Sequence, residues 1–473
     1  MRRHIMIGSI ASRALLLVLC VAGCGDWLTG PKLTDNPTRA SSATSDELFT
    51  GVQARQFDVV DQFVGPDFPF AYAMTTTLWV QQMTGTNQVY SGDRYEFDEF
   101  DFGWIGVYGG GGLLDLRKIE TSAREADDRI YLGIAQVWEA LLVGSAADFF
   151  GDVPYSEAAS DIAAPKLDSQ ADVYHALQLV LDSAIANLAS GAGTGPGAID
   201  LVYAGAPMPW IEAAHTLKAR LYLHTAERDA SAYARALAEA AQGISTSAND
   251  FTTFQSAQPG EENPWSGKCR GSGAAFSDTH SASAFFIALL MDRNDPRLPQ
   301  YFAKAGNGEF SGALPGEEFD AQTMSQLSDT RCAKDFRQPI LTWAENQLIE
   351  AEALYRTGGE DAARTELDAE RRTVGLPDVT ASGQALLIQI LEEKYVVLFQ
   401  NIEAYNDYKR TCYPNLTATS DIYGGNIPAR PFYPFDERNA NPHIPEPSLQ
   451  PPRNWNDPVT PLAPDGSPCL GQR

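Results

Sequence analysis

AADFFGDVPYSEA, residues 146–158, falls where an amphipathic pattern stops. Two aspartates, Asp148 and Asp152, flank Gly151 beside Phe149, Phe150 and Tyr155. A carboxylate pair on a turn is what a glycosidase uses as acid and base. The same letters also describe the end of a helix. Upstream, Ile134, Val137, Trp138, Leu141 and Leu142 recur at i, i+3, i+4, i+7 and i+8, an apolar stripe of helical period. Gly151 supplies a left-handed stop, and Val153-Pro154 forces an extended exit because proline disfavours helix in the residue before it. Asp148 and Asp152 are then expected to satisfy backbone N–H groups around the turn, not to act as an acid–base couple.

Working outward, the helical pattern recurs in pairs. Val173, Ala176, Leu177, Val180, Leu181, Ala184 and Leu188 follow a cap at Ser169, with Asp172 three residues on. Trp210–Arg228 precedes Ala230–Gln242. Leu341–Arg356 reaches a Gly358-Gly359 turn before Asp361–Val374, which Gly375 and Pro377 close. Gln384–Tyr405 reads as one further helix. The expected fold is mainly α: tetratricopeptide-like helical hairpins at about 130–190, 209–243, 341–375 and 384–405, each burying its stripe on the next. Residues 60–112 and 244–338 read as long irregular insertions, the second with short strands and turns, since so long a plain loop is rare in a compact domain. The Pro-rich residues 436–473 are expected to lie extended over the surface.

The N-terminus reads as a targeting segment. Arg2, Arg3 and Arg13 make a positive region before Ala14–Ala22, an apolar run too short to span a bilayer as a helix. Val21-Ala22-Gly23-Cys24 resembles the lipobox of bacterial lipoproteins. Residues 1–23 are thus expected to be a lipoprotein signal peptide, Cys24 the lipidated residue, 24–45 a flexible tether and 46–473 one domain. Membrane attachment would come from the acyl chains.

The chain carries 61 acidic against 35 basic residues, a formal charge of −26. Loss of the signal would make it more negative, which argues against nucleic acid or anionic lipid as partners. Cys269, Cys332, Cys412 and Cys469 form an even set without a CxxC pair. They suggest two disulfides with three possible connectivities, of which sequence proximity favours Cys269–Cys332 and Cys412–Cys469.

No HExxH, P-loop, helix-opening GxGxxG or GxSxG occurs. His224 falls on the stripe of Trp210, Ala214, Leu217 and Leu221, so a hydrogen-bonded core histidine is the simpler reading than a ligand. Asp292–Pro296 lacks the glycine and terminal glutamate of a calcium loop. No metal and no cofactor are expected. Glu345, Glu350 and Glu352 read as a solvated or capping helix face. Aromatics are the stronger signal: Phe68, Phe70, Tyr72, Trp79, Tyr90, Tyr95, Trp104 and Tyr108 crowd one segment with Asn87 and Arg94. Flat rings stack on the C–H faces of sugars while amides and arginine bond hydroxyls. Trp79, Asn87, Tyr90, Arg94 and Trp265 are the nominated ligand contacts, although aromatics at this density more often form core.

Taken in order, these segments resemble the SusD/RagB family of outer-membrane nutrient-uptake lipoproteins. Asp148–Ala158 is close to that family's helix end. WIGVYGGGGLLDLRKI (104–119) is similar to its Trp-x₃-Tyr segment, which turns Trp104 and Tyr108 toward core. WIEAAHTLKARLYLHTA (210–226), Asp295-Pro296-Arg297, ILTWAENQLIEAEALYRTG (340–358) and FYPFDERNANPHI (432–444) are similar to further family segments. One stretch departs: the family's "EL…EG" is replaced around Leu398-Phe399-Gln400-Asn401. The resemblance implies a tetratricopeptide-like scaffold, an irregular ligand-facing side and no catalysis. It also implies a TonB-dependent SusC-like β-barrel transporter as partner, over which the lipoprotein sits as a lid, at the cell-surface side of the outer membrane. The expected ligand is an oligosaccharide. A peptide or another small nutrient in the same system is the alternative, and an exported glycan hydrolase a weaker one.

Overall fold

The computed structural model describes residues 43–57, 70–86, 95, 104–269, 278–419 and 426–472. Residues 1–23, expected to be a signal peptide, Cys24 and nearly all of the expected tether lie outside them. Contacts divide the chain into Met1–Glu47 and Leu48–Arg473. In the first unit, Thr44 donates its N–H (2.7 Å) and hydroxyl (3.0 Å) to the Glu47 carboxylate, a cap at the start of a helix.

The longer helices are α1 (Ser45–Phe57), α2 (Phe70–Trp79), α3 (Leu113–Glu125), α4 (Arg129–Phe150), α5 (Gln170–Ser190) and α6 (Pro207–Thr225). They continue with α7 (Ala232–Ala240), α8 (Ala284–Asp292), α9 (Trp343–Arg356), α10 (Glu360–Thr373), α11 (Gln384–Val397) and α12 (Glu403–Thr411). Within Leu48–Arg473 the stacking is sequential: α4 on α5, α5 on α6, α6 on α7, α7 on α9, α9 on α10 and α11. Each hairpin covers the apolar stripe of the one before, the packing expected of helical repeats.

Local chemistry sets the ends. The Asp128 carboxylate accepts the Tyr131 N–H (3.0 Å) at the start of α4. Ser169 Oγ accepts the Asp172 N–H (3.1 Å) ahead of α5, and Gly191 ends that helix at φ 63°. Thr342 Oγ1 accepts the Glu345 N–H (3.1 Å) ahead of α9. α4 is apolar on nearly every side, and all of it from Ile130 to Phe150 is buried. It is long and apolar enough to cross a membrane, but its span lies wholly inside protein, which marks it as the core helix.

The 384–405 segment differs from its expectation. It is two helices, α11 and α12, separated at Gln400, whose φ is +64°. Asn401 Oδ1 then accepts the Glu403 N–H (3.0 Å) and restarts the helix. The break falls where the sequence departs from the family pattern, and it aims Glu403 at the core.

The insertion contributes short strands. β1 (Met83–Gly85) pairs antiparallel with β3 (His280–Ala282), Thr84 opposite Ser281, while β2 (Phe251–Thr252) pairs with β4 (Pro339–Leu341). Cys269–Cys332 and Cys412–Cys469 are bonded, with Cα separations of 5.9 and 5.8 Å.

The 148–158 turn is held by distant parts of the chain. A helix C-terminus leaves carbonyls without partners. Here the Asp148 carbonyl accepts from Lys409 Nζ (2.6 Å) and Asn454 Nδ2 (2.8 Å), and the Phe150 carbonyl from Arg430 Nη2 (2.8 Å). Two of the three donors are cationic, the sign that the helix dipole favours at this end. Asp152 accepts the first N–H of α5, from Gln170 (2.8 Å). Asp148 takes no turn N–H; its carboxylate points inward instead. The C-terminal segment is therefore not a surface wrap throughout: Asn454, Asn456 and Asp457 are buried pegs.

Gly151 is fixed twice over. Its φ is +86°, and a Cβ there would stand 2.7 Å from Asn454 Oδ1. Gly151→Ala should cost about 1–3 kcal/mol in urea denaturation, and the same substitution made in an Asn454→Ala background should cost less than in the wild type, by the part due to crowding.

Candidate functional site

A dense group of titratable side chains lies inside the helical stack. On α6, His224 is 2% exposed and sits between two carboxylates: Nδ1 is 2.8 Å from Asp148 Oδ1 on α4, and Nε2 is 2.7 Å from Glu403 Oε2 on α12. Tyr174 of α5 donates its hydroxyl to Asp148. Both ring nitrogens face acceptors, so the ring must carry two protons. Burial pulls the imidazole pKa down, but the charges of Asp148 and Glu403 outweigh it and raise it to about 10. Glu403 is held below the usual carboxylate range by Arg220 and His224 in spite of its burial.

One turn earlier on α6, Arg220 makes a two-pronged pair with Glu345 of α9: Nε–Oε1 and Nη2–Oε2, both 2.6 Å. Glu352 of α9 accepts from Lys394 of α11 (3.0 Å) and from Arg410 of α12 (2.6 and 2.8 Å). Glu345 and Glu352 are 2% and 0% exposed, so the solvated face expected for them is a buried seam. The sequence hides this, because an acidic residue in a helical pattern reads as surface until its cationic partner is placed.

Asp148, His224 and Glu403 are of metal-ligating type and lie close together. Their geometry suits a proton better than an ion. Each carboxylate occupies a different edge of the ring, and one ion cannot coordinate both nitrogens of one imidazole. The Asp295 carboxylate is likewise taken up, by Arg297 at 2.7 and 2.8 Å and by Arg293 at 3.1 Å. These groups join helices, and none is left facing an open cleft. The crevice beside Arg220, Gln338 and Gln400 has room on the scale of one water, about 10 Å³.

The nominated aromatics do not present faces to a ligand. Trp79 is 0% exposed, parallel to Phe149 at 5.9 Å and edge-on to Tyr405 at 5.1 Å. Trp265 is 0% exposed and edge-on to His280 at 5.7 Å. A ring enclosed on both faces cannot stack on a sugar, so these two are corrected to core. Tyr72, Tyr95 and Trp104 are buried as well. Asn87, Tyr90 and Arg94 lie outside the described residues. Trp265 supports a wall: Asn263 donates its N–H to the Lys334 carbonyl (2.7 Å) and Nδ2 to the Phe336 carbonyl (2.6 Å), beside the Cys269–Cys332 bond. Nearby, exposed Arg337 lies 5.0 Å over the half-buried ring of Phe254. This pairing of ring and donors suits a hydroxyl-rich ligand, and no sequence motif marked it.

The fold is thus one of stacked hairpins with their charges tied inward and an irregular side of loops and short strands. The family described as starch-binding associating with outer membrane, the SusD-like proteins, matches residues 37–369, and the chain belongs to it. Comparison with curated proteins gives no match. Solved structures share the fold. A chitin-binding SusD homolog from Flavobacterium johnsoniae is 20% identical at TM-score 0.73, over 87% of this chain and 99% of that one. A SusD/RagB family protein from Bacteroides thetaiotaomicron is 20% identical at TM-score 0.68, over 89% and 98%. A further chitin-binding protein is 21% identical at TM-score 0.72, over 88% and 100%.

The His224 arrangement has a pH signature. Its folded pKa, near 10, exceeds the ordinary 6.5. The stabilisation is therefore complete below pH 6.5 and is lost as pH climbs toward 10. Urea midpoints of the wild type should fall across that window, and those of His224→Leu should fall less. At pH 7 the variant should lose about 3–5 kcal/mol, because two buried carboxylates lose their shared cation.

Proposed function

We propose that this protein is a non-enzymatic, lipid-anchored glycan-binding protein of the outer membrane. It captures an oligosaccharide at the cell surface and delivers it, as a lid, to a TonB-dependent β-barrel transporter. The observation that carries the reading is the match to the starch-binding outer-membrane family over residues 37–369. It is supported by similarity to two proteins named as chitin-binding. The interior chemistry agrees: Asp148, Glu345, Glu352 and Glu403 are bound in buried pairs, where they build the scaffold.

Acylation at Cys24 would keep the lid beside its barrel, raising the effective concentration for reclosure without any new contact. The ligand surface is assigned to the irregular side, with Phe254 and Arg337 as its described ring and donor. Asn87, Tyr90 and Arg94 remain nominated for the same role.

Three measurements test this. Mild-detergent purification through a tag on this protein should bring down a large β-barrel, and its absence would sink the lid. The mature protein should bind oligosaccharides in a panel of α-glucans, chitooligosaccharides and peptides; a peptide preference without glycan binding would replace the ligand class. Cys24→Ser should release the protein from the membrane.

A further inference from the structure

Of the tryptophans among the described residues, Trp79, Trp104, Trp138, Trp210 and Trp265 are buried and Trp343 is half-buried. Trp455, in the Pro-rich C-terminal segment, is exposed at 42%. A large ring left in water on an otherwise pegged turn calls for an explanation.

Its neighbours fix its direction. Asn454 points inward and donates Nδ2 to the Asp148 carbonyl (2.8 Å). Asn456 also points inward: its backbone N–H donates to Gln170 Oε1 (3.1 Å) and its Nδ2 to the His224 carbonyl (3.3 Å). Residues 454–457 form a turn in which the Asp457 N–H donates to the Asn454 carbonyl (3.3 Å), and with Asn454 and Asn456 both pegged inward the Trp455 side chain at its corner is left facing solvent. The backbone under the indole is thus anchored to the ends of α4 and α6, and a ligand stacking there would immobilise little that is not already fixed.

The ring has one polar companion. The Arg228 guanidinium lies 5.9 Å from its centroid, is exposed, and has no carboxylate partner among the described residues. One face of the indole is therefore accompanied by free N–H donors while the ring stays open to solvent.

We propose that Trp455 and Arg228 form a sugar-binding platform distinct from the loops of the irregular side. The indole takes the C–H face of a pyranose ring and Arg228 donates to its hydroxyls. The inference rests on the glycan-binding reading and adds a second contact for the same oligosaccharide class. Tryptophan and arginine are also enriched in protein interfaces. Here the flanking chain beyond Arg228 is polar, with exposed Asp229 next to it, which suits hydroxyls better than the apolar centre of a protein contact.

The test uses the full mature protein carrying Trp27→Phe, so that Trp455 dominates the quencher-accessible fluorescence. Maltooligosaccharides and chitooligosaccharides are titrated with acrylamide quenching as one readout and calorimetry as the other. A glycan that binds should shield Trp455 from acrylamide. Trp455→Ala should weaken binding roughly three- to tenfold, Trp455→Phe should recover part of it, and thermal unfolding should barely move because the side chain is exposed. Equal affinity in wild type and Trp455→Ala, without shielding, would overturn the platform and leave the general function standing. No glycan binding by the wild type would remove both together. Normal glycan affinity with loss of transporter co-purification in Trp455→Ala would overturn the sugar platform in favour of a protein contact.

Discussion

A doubly protonated imidazole between two buried carboxylates is the constraint on which the rest of this structure depends. His224 on α6 touches Asp148 on α4 and Glu403 on α12, so three helices far apart in sequence must meet at one ring. Removing charges from water is expensive, and the cost is offset only where geometry and additional hydrogen bonds are good. Tyr174 and Asn406 supply those bonds, and Arg220 adds an ion pair to Glu403 at 3.7 Å. The cluster therefore acts less as a source of net stability than as a condition on register: a hairpin displaced by one turn would leave an unpaired charge in the core.

The same logic runs along the stack. Arg220 with Glu345, then Glu352 with Lys394 and Arg410, ties α6, α9, α11 and α12 together beneath the apolar stripes. Apolar contact alone is tolerant of sliding, because one leucine resembles another. Charged pairs are not. A rigid frame of this kind can carry long loops whose sequences are free to vary, and ligand selection can reside in those loops without disturbing the core.

Much of the frame was legible. Ile134 to Leu142 announced α4, Ser169 and Asp172 announced the start of α5, and Gly151 with Val153-Pro154 announced the turn between them, since periodicity and backbone preference act over a few residues. Other features were not. Gln384–Tyr405 kept a helical pattern through Gln400, where the chain breaks to aim Glu403 at His224. Glu345 and Glu352 looked solvated because their partners lie on other helices. Trp79 and Trp265 looked like ligand contacts because composition records that aromatics are abundant, not which way they face.

By itself, then, the sequence determined the class of fold, the order of the hairpins and the ends of most helices, because these follow from local spacing and from the residues that cap or stop a helix. Only the tertiary structure decided what the opening motif does. Asp148 reaches a histidine 76 residues away, and the glycine beside it is pressed by Asn454 from the far end of the chain. It also decided that Tyr72, Trp79, Tyr95 and Trp104 are core and that Trp455 stands in solvent. Burial and charge pairing are properties of residues brought together from distant positions, and short-range patterns carry no record of that meeting.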